Sequence, residues 1–335
     1  MDNKEIELFE KTPVTKAVVS LVVPTIISQL INVLYNTADT FFIGQTGDPN
    51  QIAAANICTP MFFLLTGIAN LFGIGGSSLI SRCLGVNDEE KATHTSAFCV
   101  WTSILVSLVY GIGIFLSCPA ILPAFGANAK TYDFCKQYIF WTIAIGSIPT
   151  VLNAEFAHLV RSEGYSKQAS FGMIFGAGLN IILDPIFITT INMQIAGAAL
   201  ATMLSNLAAT VYFIILILRK GNHTVLTLNP RFFSTKYHIP SEVFFVGLPS
   251  TLMSLMSTFS NITVNRLMSY YCNEAIAGVG IAKRIDMLSF GIATGMSQGV
   301  VPLIGYNYSS KNYERMKKAI LTTFTLSLSI ALICT

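Results

Sequence analysis

Nine stretches of this 335-residue chain run for about twenty residues with almost no charge, at roughly 18–44, 52–80, 94–118, 132–159, 169–189, 195–218, 243–270, 275–304 and 318–335. The hydrocarbon layer of a bilayer is about 30 Å thick, and an α-helix crosses it in roughly 20 residues while satisfying its own backbone polar groups. The pattern therefore implies an all-α polytopic membrane protein with the lipid bilayer as its surroundings. Charged residues make up only 11% of the chain, whereas soluble domains carry about 25%. The net charge of +3 is spread over loops, so no nucleic-acid partner is expected. Residues 1–17 are polar and lack the pattern of a cleavable signal; they read as a cytosolic tail. The seven cysteines show no metal spacing and are expected as free thiols. No phosphate-binding loop, zinc-protease motif or nucleophile elbow is present, so neither an enzyme nor an organic cofactor is expected.

Basic residues set the orientation. The loops after the second, fourth, sixth and eighth stretches carry Arg82, Lys91, Arg161, Lys167, Arg219, Lys220, Lys311 and Arg315, while the opposite loops carry little besides Lys130. The positive-inside rule then places the N-terminus in the cytoplasm. An internal repeat is also visible. Pro24 and Pro249, and Asn36 and Asn261, are 225 positions apart, and QIAAANI (51–57) matches EAIAGVGI (274–281) one position closer. Six helices return the chain to the same side, so the halves are parallel and related by an axis along the membrane normal. The expected organisation is a tail (1–17), an N-lobe of helices 1–6 (18–218), a cytoplasmic inter-lobe loop (219–242) and the start of a C-lobe with helices 7–9 (243–335). Two whole halves of this period need about 450 residues, so the chain is expected to be part of a twelve-helix protein.

Asp39 in the first stretch and Asp184 in the fifth are the carboxylates that demand a function. A charge inside the membrane is unfavourable by several kcal/mol unless it meets a partner, a proton or water. Both stretches run outward, and each aspartate lies about five residues from the outer end, about 8 Å deep at 1.5 Å per residue. Tyr35 and Asn36 lie one turn from Asp39, Asn180 lies one turn from Asp184, and Thr202 on the sixth stretch reaches a similar depth. Two desolvated carboxylates among amides and hydroxyls suit exchange of a proton or retention of a dehydrated sodium ion through oxygen ligands. Pro24 removes a helix hydrogen bond and is a candidate hinge. Gly172 and Gly176 make a small-xxx-small pattern for close helix packing. Arg284 and Asn261, the repeat mate of Asn36, are candidates for the cavity of the second lobe. Glu155, His158 and Arg161 read as an interfacial network at the cytoplasmic end of the fourth stretch.

Several runs resemble the multidrug and toxin extrusion (MATE) family. They are LVVPTIISQLINVLYNTADTFFIGQTG (21–47), GIGGSSLISRCLGVNDEEKA (73–92), VRSEGYSKQAS (160–170), GLNIILDPIFI (178–188) and GLPSTLMSL (247–255). The resemblance is closest to the bacterial branch with MepA-type and DinF-type members. It implies a V-shaped pair of six-helix lobes in the bacterial plasma membrane, monomeric, that exports amphipathic organic cations in exchange for H⁺ or Na⁺. It also implies an N-lobe coupling site at Asp39, Asn180, Asp184 and Thr202, which would be the place for any sodium ion, with Tyr35 in the cavity and Pro24 bending with ion state. One departure is that residues 248–268 contain no acidic residue, where some branches place a coupling glutamate; this favours the N-lobe aspartates. The rival expectation is a lipid-linked oligosaccharide flippase of the same superfamily, whose cavity would be lined by cations such as Lys283 and Arg284.

Overall fold

Short polar punctuation sets the helix boundaries. Asp48 accepts from Asn50 N–H with Pro49 in the first helical position, and Asp88 accepts from Lys91 N–H, so each satisfies a donor that has no partner within its helix. Gly47 (φ 72°) and Asn87 (φ 59°) take the left-handed turns just before these caps. The computed structural model describes residues 3–268 and 273–334, and every regular element among them is helical. These are α1 (Asn3–Glu10), α2 (Val14–Gly44), α3 (Pro49–Gly85), α4 (Glu89–Leu116), α5 (Cys118–Ala124), α6 (Tyr132–Ile139), α7 (Ser147–Ser162), α8 (Ser166–Pro185), α9 (Gln194–Lys220), α10 (Ile239–Met268), α11 (Asn273–Ser309) and α12 (Tyr313–Cys334).

Among the described residues, seven helices are long and apolar enough to cross a membrane, or eight if the bent pair α6 and α7 is counted as one span. That span is not the straight helix its sequence suggests. It passes through a π-helical turn at Phe140–Ile145 and bends by 52°. Gly146 permits the break, because a Cβ there would lie 2.6 Å from the Trp141 carbonyl and 2.7 Å from that of Thr142. A second π-helical turn, Ile186–Thr190, follows Pro185, whose carbonyl accepts the Thr189 hydroxyl. Pro24, by contrast, sits within an unbroken α2. Beside it, Thr25 donates to the Leu21 carbonyl (2.9 Å) and Ser28 to that of Thr25 (2.8 Å).

By the sequence repeat, α2–α9 count as the first lobe and α10–α12 as part of the second. The lobes meet through two equivalent crossings, α3 with α10 and α11 with α2. A Cβ on Gly75 would lie 2.3 Å from the Val243 carbonyl, and one on Gly247 would lie 2.1 Å from that of Leu71. In the other crossing, a Cβ on Gly299 would lie 2.8 Å from Val22 Cα, and one on Gly295 would lie 2.7 Å from Ile26 Cα. Gly299 and Gly295 follow Gly75 and Leu71 by 224 positions, and Gly247 follows Val22 by 225. The repeat thus builds the same close crossing twice. Gln29 donates to Gln298 (2.8 Å), and Glu242 pairs with Lys91 (2.8 Å) and Arg82 (3.2 Å). All these contacts lie toward the end of the bundle that carries the basic loops, so the lobes are joined there as the arms of a V. Asp39 and Asp184 lie toward the opposite end.

Candidate ion and substrate site

One stripe of α8 organises the site. Gly172, Gly176, Asn180 and Asp184 recur every four residues, and all four are buried. The glycines bring α9 against this stripe. A Cβ on Gly172 would lie 2.5 Å from the Phe213 ring, and one on Gly176 would lie 3.0 Å from Ala209 Cβ. Continuing along α9 by about two turns, the same contact sets Thr202 beside Asn180, whose amide end lies 3.4 Å from the Thr202 hydroxyl. With its nitrogen turned to the carboxylate, the Asn180 amide donates to Asp184 Oδ2 (3.0 Å) and accepts from Thr202 N–H (3.2 Å).

α2 packs against α8 and supplies the other wall. Asp39 is the charged neighbour of Asp184. Tyr35, one turn along, lies within electrostatic reach of both carboxylates and beside the Thr202 side chain. The structure therefore brings together Asp39, Asn180, Asp184, Thr202 and Tyr35. It does not bring Asn36 to them: that side chain is exposed and donates to the Asn32 carbonyl of its own helix (2.7 Å). A three-residue offset turns Asn36 off the face that Tyr35 and Asp39 share. Asn261 and Arg284, like Lys283, lie outside the described side chains.

Two further groups join the site that the sequence reading passed over. Tyr138 of α6 lies within electrostatic reach of Asp39, Tyr35 and Asp184. Asn153 of α7 donates to Asn206 Oδ1 (2.9 Å), which in turn donates to Thr150 (3.1 Å). Asn206 stands one turn beyond Thr202 on α9, and that i+4 spacing was the available signal. Glu155, His158 and Arg161 are not an interfacial network but are buried in the core of the first lobe. Gly73 draws α3 close over them: a Cβ there would lie 2.9 Å from the His158 ring.

Asp39 Oδ1, Asp184 Oδ1 and Asn153 Oδ1 are buried acceptors without a protein donor. Acceptors left over in this way fit a hard cation or a proton. Among the described residues no group of three or more His, Cys, Asp or Glu could hold a metal ion, so the donor set is the mixed carboxylate, amide and hydroxyl kind. The five described cysteines Cys58, Cys83, Cys99, Cys118 and Cys135 are free and buried.

A two-lobed bundle of membrane-spanning helices, with carboxylates gathered between helices of one lobe, is the architecture of a membrane transporter rather than an enzyme. The MatE family model matches residues 24–186 and 249–335. The chain is 34% identical over 321 residues to the multidrug export protein MepA of Staphylococcus aureus (strain MRSA252), covering 96% of this chain and 70% of that protein. It superposes with a TM-score of 0.92 on a crystal structure of MATE in complex with MaD5, at 28% identity, covering 99% of this chain and 75% of the other. The outward-facing conformation of a multidrug resistance MATE family transporter of the MOP superfamily gives a TM-score of 0.89 at 29% identity, with 99% and 73% covered. The chain belongs to the MATE family of multi-pass membrane transporters.

Proposed function

We propose that the protein is a cation-coupled antiporter that exports amphipathic organic cations by alternating access, with Asp39, Asp184, Asn180 and Thr202 as its coupling site. The observation that carries this reading is the Asn180 amide that joins Asp184 to Thr202, with Asp39 as the neighbouring carboxylate and acceptor oxygens left over on both. Proton or sodium binding satisfies those oxygens and removes the repulsion between Asp39 and Asp184, so the state that binds the ion best is favoured by its differential affinity. The basic end faces the cytoplasm by the positive-inside rule, which makes the open end outward and agrees with the outward-facing relative. Substrate leaves outward as the ion binds, and inward opening returns the ion to the cytosol. The name of the relative MepA supports small organic drugs as cargo, and a bacterial plasma membrane as the location. A monomer is sufficient, since cavity and coupling site belong to one chain.

Efflux of a fluorescent organic cation from proteoliposomes, driven separately by a proton gradient and a sodium gradient, tests this. One gradient should drive efflux in the wild type, and both Asp39→Asn and Asp184→Asn should abolish the coupling. Full coupled efflux in both variants overturns the assignment.

A further inference from the structure

At the closed, basic end the short helix α1 lies across both lobes. Phe9 is fully buried, and its ring stacks on Tyr306 of α11 with centroids 5.1 Å apart. On the first lobe, Gly164 (φ 91°) in the turn between α7 and α8 comes so close that a Cβ there would lie 3.2 Å from Phe9 Cζ. Any larger residue at that turn would push against the ring.

The backbone of α1 is held as firmly as its side chain. Arg315, in the first turn of α12, donates from Nε to the Phe9 carbonyl (2.7 Å) and from Nη2 to the Leu8 carbonyl (3.1 Å). Asn307 Nδ2 also donates to the Phe9 carbonyl (3.3 Å), and the Tyr306 hydroxyl donates to Glu10 Oε1 (2.7 Å). These carbonyls belong to the last turn of α1, where helices lack internal donors and favour a cation. An eight-residue helix is too short to persist alone in water. Its helicity therefore depends on the contacts that both lobes supply.

Only residues 11–13 separate α1 from α2, so α1 must travel with the first lobe. Separation of the lobes at this end would pull Phe9 from Tyr306 and strip the Leu8 and Phe9 carbonyls of Arg315. Glu10 would also lose the Tyr306 hydroxyl.

We propose that α1 is an inter-lobe strap, with Phe9 and Arg315 as positioning residues that hold the transporter closed at its basic end and set how readily it opens there. This rests on the alternating-access reading above. The test uses spin labels at the exposed positions Lys167 in the first lobe and Lys317 in the second, with distance distributions recorded as proton and sodium concentrations vary. In the wild type the short distance should dominate and a longer one should grow under one ion condition. Arg315→Gln and Phe9→Ala should each raise the long-to-short ratio on the order of tenfold, the effect of losing a charge-assisted pair of hydrogen bonds or a buried ring. Arg315→Lys should fall between wild type and Arg315→Gln, because an ammonium cannot serve two carbonyls as a planar fork does. Glu314→Gln, on the same turn but bonded outward to Lys318, should leave the ratio unchanged. Wild-type ratios in Arg315→Gln and Phe9→Ala, with the wild type still responding to ions, would overturn the strap while sparing alternating access. A single distance in the wild type under every condition would overturn both.

Discussion

Two glycines on one helix should respond to the same substitution in opposite ways. Gly176 and Gly178 both lie in α8, but a Cβ on Gly176 would sit 3.0 Å from Ala209 Cβ, while one on Gly178 meets nothing within 4 Å. Replacing glycine by alanine in a helix is worth about 1 kcal/mol in its favour. Gly178→Ala should collect that gain. Gly176→Ala must also push α9 away, and overpacking of this kind costs about 1–3 kcal/mol. The two variants should therefore differ by roughly 1–3 kcal/mol, or a few degrees in unfolding temperature in detergent. The functional consequence is sharper. Relief of the clash needs α9 to give by a few tenths of an ångström, and Asn180 and Thr202 are joined at 3.2 Å. Their bond is then stretched to the edge of hydrogen-bond range. Gly176→Ala should lose ion-driven efflux while Gly178→Ala keeps it. Equal melting temperatures and equal coupling in the two variants would refute the packing origin of the site.

The other expectations are simpler. Asn180→Ala should abolish coupling, whereas Asn36→Ala should change it less than twofold in the same efflux assay, because only Asn180 bonds Asp184. Gly247→Val, which drives a side chain into the Leu71 carbonyl, should weaken closure of the lobes and lengthen distances measured across their basic ends. Glu163, in the turn after α7, accepts from Thr224 Oγ1 (2.9 and 2.7 Å) and from Val225 N–H (2.7 Å), tying the inter-lobe connection to the first lobe. Burial pushes its carboxyl up to about 7 although these donors and Lys220 hold it down. Between about pH 4.5 and 7 the folded protein therefore keeps a proton that the unfolded chain has lost, so stability falls as pH rises through that window, by about 3 kcal/mol in all, and levels off above it. Glu163→Gln should remove this fall when melting temperatures at about pH 5 and pH 8 are compared.

The helices were legible because membrane spans are written in long apolar runs, and the repeat was legible in Pro24 and Pro249, Asn36 and Asn261 and the runs 51–57 and 274–281, while its glycine crossings were not. Asp39 and Asp184 stood out as charges without an apparent partner. Their gathering with Asn180 and Thr202 could be read from depth alone, since the three helices that carry these residues share one membrane normal. What depth cannot give is rotation about a helix axis. Asn36 and Tyr35 are neighbours in sequence, yet only Tyr35 faces the carboxylates. The buried position of Glu155, His158 and Arg161 escaped for a related reason: polar residues near a span's end read as interfacial until Gly73 is seen to bring α3 over them. The stripe Gly172–Gly176–Asn180–Asp184 was present in the sequence as two separate pairs. Its unity appears once Phe213, Ala209 and Thr202 are seen to answer it from α9.

Direct cation binding to the purified protein tests the central claim most closely. Sodium uptake and proton release should be measured on the wild type, Asp39→Asn and Asp184→Asn under identical ionic strength. The wild type should bind sodium or exchange protons near neutral pH, and each variant should lose that signal while keeping its melting temperature. Unchanged cation binding in Asp184→Asn would contradict the assignment of this site.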